Sequence, residues 1–134
     1  MKYEILEHPA DLKIKVFGTS REELFSNALL AMIESMSPEI KKPEQTNRRP
    51  IKIKSSDLPA LLVDFLNETL YLTQVNKEIY KVSFKKFTDK EIKGELIGKK
   101  VEKFGEDIKA ATYHDLEIKQ NKDGSWQATV LFDI

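Results

Sequence analysis

Cysteine is absent from this chain, which excludes disulfides, thiolate metal sites and a cysteine nucleophile. Neither sign of charge dominates. Twenty-two basic and 22 acidic residues give a formal charge of zero, so no global field draws in nucleic acid, although a local patch still can. No run approaches the 18 consecutive apolar residues of a membrane span. The opening "MKYEILEH" lacks the basic region and apolar run of a signal peptide, and the expected location is the cytoplasm. Glycine is sparse, with five residues, and neither GxGxxG nor a P-loop is present. HExxH, a serine elbow and a dense arginine and aromatic stripe for RNA are missing too.

What remains is a chain of 134 residues, 40% apolar and 33% charged, the composition of a globular protein. That length predicts one domain over 1–134. "LKIKVFG", Leu12 to Gly18, alternates with period two and reads as a strand, with Leu12, Ile14 and Val16 on one face. The period then changes. Thr19 and Glu22 have capping-box spacing, and the stripe Leu24, Ala28, Ala31, Met32 predicts a helix from about Ser20 to Ser37. Residues 38–49, "PEIKKPEQTNRR", read as a long polar loop.

"PIKIKSS" is a short alternating strand. Ser56 or Asp57 can cap a second helix over "LPALLVDFLNETLYLTQ", with Pro59 tolerable in its first turn. This helix is apolar around much of its circumference and should form the core. From Glu78 the chain reads as two hairpins, turning at "TDK" and "NKDG", the second with Gly124 available for positive φ. A short strand ahead of His8 completes the pattern. The expected fold is α+β, in the order β-α-β-α-β-β-β-β: a mostly antiparallel sheet with two principal helices on one face.

A few polar residues ask for a reason. Asp11 immediately precedes the first clear strand, where aspartate commonly accepts turn or cap hydrogen bonds. Asp133 and Ile134 end the chain after "TVLF", setting a side-chain carboxylate beside the terminal one. If that edge lies next to Asp11, three carboxylates converge. Like charges need a cation or raised pKa values to share a site, and oxygen-only ligands suit a hard divalent ion. Asp64 sits inside "LLVDFLNETLYL", where a buried carboxylate needs a partner. Along "KAATYHDLEI", strict alternation puts Lys109, Ala111, Tyr113 and Asp115 on one face and His114 on the other. His8 and His114 are the only histidines, and no close-spaced ligand motif joins them. Lys41, Lys42, Arg48 and Arg49 give the polar segment a basic character, which commonly means only a solvated surface.

Taken together, "EHPADLKIKVFG", "ALLAM", "LLVDFLNETLYL", "IKAATYH" and the closing "FDI" resemble the archease family closely. The match runs in family order from near residue 4 to the end, and includes the family's H-x-A-D pattern. The resemblance implies an accessory protein of the GTP-dependent tRNA-splicing RNA ligase, which joins a 2′,3′-cyclic phosphate or 3′-phosphate end to a 5′-hydroxyl. It would promote ligase guanylylation and repeated turnover without being an enzyme itself. RNA contact would be indirect, through the ligase, and no membrane would be involved.

The resemblance carries the family's metal site over to Asp11, Asp133 and Ile134, with calcium as the family's ion, while manganese or magnesium would also suit oxygen ligands. His8, Lys109, Tyr113 and His114 fall in matching segments and form a candidate functional surface. The acidic tip then either helps place a metal ion at the ligase or only docks there. One departure is Pro9, where the family usually has threonine. A chaperone-like modulator or RNA-processing adaptor is the alternative role. An independent metal-dependent hydrolase is a third, for which no nucleophile-positioning site is visible.

Overall fold

The structure is a computed structural model and describes residues 1–6 and 10–134. His8 and Pro9 of the sequence argument lie outside the described residues. In chain order the elements are β1 (Tyr3–Leu6), β2 (Leu12–Gly18), α1 (Arg21–Ser35), β3 (Pro38–Ile40), β4 (Thr46–Lys54), α2 (Leu58–Asn76), β5 (Glu78–Phe87), β6 (Glu91–Phe104), β7 (Ala110–Gln120) and β8 (Trp126–Asp133). The α+β class and the two principal helices are as expected.

The strands form two sheets, where the sequence suggested one. The first runs β1-β2-β8-β7, antiparallel throughout. In the second, β6 is central, flanked by β4 and β5, with β3 pairing its last residues. The division falls at Gly105, whose N–H bonds to the carbonyls of Met36 and Ser37 beyond α1 rather than continuing a ladder. The chain then re-enters as β7 on the other sheet.

Each helix starts at a side-chain cap. Ser20 Oγ accepts the Glu23 N–H at 3.1 Å, and Glu23 Oε1 accepts the Thr19 N–H at 3.0 Å. The capping pair is therefore one residue later than Thr19 and Glu22. Asp57 caps α2 by accepting the Ala60 N–H at 2.8 Å, and Pro59 sits in the first turn, where no N–H is needed. Lys77 closes α2 in a left-handed conformation, φ 51°.

The helices pack on both sheets, α1 against β2 and β5, α2 against β7 and β5. Phe25 of α1 and Phe65 of α2 meet at 5.6 Å, and Phe84 and Phe87 of β5 close around them. Leu61, Leu62 and Leu66 of α2 are fully buried beside this cluster. Burying each such side chain contributes about 1.5–3 kcal/mol.

The expected polar loop over 38–49 is mostly strand: β3 takes Pro38–Ile40 and β4 begins at Thr46, leaving only 41–45 as connection. Its alternation is carried by polar side chains. Asn47 and Arg49 point to the buried Glu78, so a hydrophobic period is not there to be seen.

Candidate functional site

The two ends of the proposed acidic site are brought together by the first sheet. Strands β2 and β8 pair with Leu12 opposite Phe132, and extending that register by one residue sets Asp11 opposite Asp133. Asp11 is half-buried, with its Oδ1 atom enclosed. Asp133 is exposed, and its carbonyl accepts the Lys109 N–H at 2.8 Å. Lys109 thus joins the site through its backbone. Ile134 follows with half its surface exposed, over a hollow of about 380 Å³ lined also by Ile5, Leu12, Glu34, Glu106 and Asp107. Among the described residues no three His, Asp or Glu side chains converge on one point. The donors available here are therefore two aspartates and the chain terminus, all oxygen, a set that fits a hard cation rather than a soft one.

Tyr113 and His114 lie farther along β7, and their placement differs from simple alternation. Thr112 pairs with Leu131 and Glu117 with Thr129, so the residues from Tyr113 to Leu116 bulge out opposite Val130 alone. Asp115 takes φ 53° to make this turn, a conformation aspartate tolerates better than most residues. His114 is exposed on the bulge, with Nε2 3.5 Å from Asp115 Oδ2. Tyr113 reaches α2 instead, donating its hydroxyl to Asp64 Oδ1 at 2.9 Å, while Ser55 Oγ donates to Asp64 Oδ2 at 2.6 Å. Asp64 therefore has the partners that its apolar surroundings demand. Its hydrogen bond, followed by partial burial and its negative charge, raises the Tyr113 phenol above its ordinary 10.

A second polar centre was not anticipated. Glu78 is fully buried and accepts from Arg49 Nε at 2.8 Å, Asn47 Nδ2 at 2.6 Å and the Tyr80 hydroxyl at 2.7 Å. Burial pushes its carboxyl up, but the three hydrogen bonds and the Arg49 charge outweigh that and hold it at about 2. Burial and the Glu78 bond push the Tyr80 phenol up to about 12. The sequence signal available was Glu78 itself, a charged residue heading an otherwise apolar alternation with Tyr80 and Val82.

The chain is thus a two-sheet, two-helix α+β protein in which the start of its second strand, preceded by Asp11, pairs with the end of its last, which carries Asp133. The family model for the archease protein family (MTH1598/TM1083) matches residues 3–134, and the chain belongs to that family. It is similar to protein archease of Methanosarcina barkeri, 40% identical over 143 residues covering 99% of this chain and 96% of that one. Protein archease of Pyrococcus furiosus is 34% identical over 141 residues, covering 99% of each. Among solved structures, the solution structure of Methanobacterium thermoautotrophicum protein 1598 superposes with TM-score 0.73 at 28% identity, covering 98% of both chains. A Thermotoga maritima archease, described as a "possible chaperone", gives 0.67 at 22% identity, covering 96% of this chain and 94% of that one, and bears on the fold alone. No helix among the described residues is long and apolar enough to cross a membrane.

Proposed function

We propose that this chain is a non-catalytic activator of the GTP-dependent tRNA-splicing RNA ligase, promoting guanylylation and multiple turnover in the cytoplasm. Family membership supports the role, and the pairing of β2 with β8 beside Asp11 and Asp133 is the observation that carries the site. Asp11, Asp133 and the Ile134 carboxylate would hold a divalent ion: calcium, or manganese or magnesium. Such an ion offsets the mutual repulsion of the carboxylates and supplies positive charge for phosphate oxygens. The chain's own contribution is positional. The Lys109 N–H bond to the Asp133 carbonyl ties the last strand to β7, so the terminus is held rather than frayed.

The test is multiple-turnover RNA ligation with the cognate ligase held substoichiometric, this chain added or omitted, and Asp11→Ala in parallel. More product per ligase with wild type, and not with the variant, supports both the role and the acidic tip. An Asp11→Ala protein that still binds the ligase and activates fully removes the metal from the reading. No gain from wild type across manganese and GTP concentrations overturns the activator role. The second reading, a chaperone-like modulator or adaptor, then leads. It is favoured by exposed Tyr71 and Val75, four residues apart on α2, and predicts rescue of an aggregating client without ligase.

A further inference from the structure

The outer face of the second sheet carries an excess of positive charge. On β4, Ile51 and Ile53 are buried, so the alternate residues Arg48, Lys52 and Lys54 face outward. On β6, Ile92 and Leu96 are buried, leaving Lys93 and Lys99 outside. Strand β5 adds Lys81 and Lys86.

The acidic residues on this face are Glu91 and Glu95. Glu95 takes Arg48 at 2.5 Å, and Glu91 takes Lys86 at 2.5 Å and Lys54 at 3.6 Å. Lys99 lies 3.9 Å from Glu44 in the connection before β4. Among the described residues Lys52, Lys81 and Lys93 have no ion pair. The Lys86 hydrogen bond, opposed by desolvation and reinforced by the charges of Lys54 and Lys93, holds the Glu91 carboxyl below its ordinary range.

Register makes the arrangement sharper. Lys52 pairs with Lys93, and Lys93 with Lys86, so three lysines stand in one row across three strands. Like charges directly opposite one another destabilise a sheet, and solubility asks only for mixed charge. Glu91 takes up Lys86 of this row, which leaves Lys52 facing Lys93 across the β4–β6 ladder as the like-charge pair without an ion-pair partner of its own among the described residues.

We propose that this face binds the phosphate backbone of double-helical RNA without reading its sequence. Lysines on flexible stems suit point contacts with phosphate oxygens. Single strands are held by aromatic platforms, whereas the β5 aromatics Tyr80, Phe84 and Phe87 turn toward the core. Sequence readout through base edges needs a groove-entering element, and a broad sheet face offers none. The choice of RNA over DNA rests on the ligase reading; the backbone site does not.

The experiment is fluorescence anisotropy of the full chain with a labelled RNA hairpin, across a salt series and with no ligase present. Lys52→Gln/Lys93→Gln is compared with wild type. The double variant relieves the like-charge row, so its melting temperature should equal or exceed wild type. Its affinity should fall at least about fivefold at low salt, and its log–log salt slope by roughly 1 to 2, near one per lost phosphate contact. Lys81→Gln should act in the same direction by about half. Absence of binding at low salt, or an unchanged slope in the variants, overturns the proposal. So does tighter binding of a labelled polyglutamate peptide, which would make the partner an acidic protein. Equal binding of the matching DNA hairpin overturns the assignment to RNA. Ligase activation is read in a separate assay, so either inference can fail without the other.

Discussion

The side-chain amide of Asn67 satisfies both backbone groups of Ala111: Nδ2 donates to the carbonyl at 3.0 Å and Oδ1 accepts the N–H at 2.8 Å. A helix residue thereby stands in for the next strand along the free edge of β7. Gln74 repeats the device one stretch away, donating to the Ile108 carbonyl at 3.0 Å. Exposed edges invite pairing with other chains, and α2 covers the beginning of this one through Asn67.

Replacing Asn67 by leucine keeps the volume and removes both bonds. The Ala111 N–H and C=O would be left under the helix, at about 1–3 kcal/mol for each unsatisfied group. A urea titration should show a lower midpoint with an unchanged slope. An unchanged midpoint would mean that water replaces the amide and the edge is not sealed.

The Glu78 centre sets an acid limit on stability. Its folded pKa of about 2 lies below the ordinary 4.5, so the unfolded chain binds the proton first as pH falls. The contribution is full above pH 4.5 and drains away between 4.5 and 2. Glu78→Gln should cost about 1–3 kcal/mol at neutral pH and should flatten stability over that acid window. Chemical denaturation at pH 7, 4.5 and 3 checks it; a variant as acid-sensitive as wild type would assign the loss to other carboxylates.

Much of this architecture is legible from the residues. Asp57 and Pro59 mark the start of α2, "NKDG" marks the turn before β8 with Gly124 at φ 89°, and the apolar period marks both helices. What escapes is whatever depends on long-range pairing. Asn47 and Arg49 are inward-facing only because Glu78 waits for them, so β4 hides its first half among polar residues. The β7 bulge breaks alternation with no glycine to announce it. The acidic residues at Asp11 and Asp133 were visible as strand-end carboxylates, but only the β2–β8 register sets those ends side by side.

Tyr113 offers a spectroscopic readout of that bulge. Its phenol is raised above 10, first by the hydrogen bond to Asp64, then by partial burial and the Asp64 charge. Ultraviolet titration should therefore find Tyr113 among the late-ionising tyrosines, together with Tyr3, raised by burial and its bond to Glu34, and Tyr80 near 12. Asp64→Asn should bring Tyr113 back toward 10, and Tyr113→Phe should remove it from the titration. A Tyr113 phenol that ionises at 10 in wild type would mean the bulge does not hold this contact in solution. A raised phenol pKa favours the neutral folded form, so this contribution is lost only as pH climbs past 10.

Metal binding at the terminus can be tested without any partner. A ligand that binds only the folded chain adds RT ln(1 + [L]/Kd) of stability, about 2.7 kcal/mol at a hundredfold excess over Kd. Calcium titrated into wild type should therefore raise the melting temperature progressively, with manganese and magnesium compared at equal ionic strength. Asp11→Asn removes a charged ligand and should abolish the rise while leaving the metal-free melting temperature close to wild type. Asp133→Asn should reduce it, since the terminal carboxylate remains. Removing Ile134 moves that carboxylate back one residue along β8, and calcium should then stabilise the shortened chain less. If all four proteins respond alike, the ion is screening general surface charge, and the carboxylates of Asp11, Asp133 and Ile134 do not act together as its ligands.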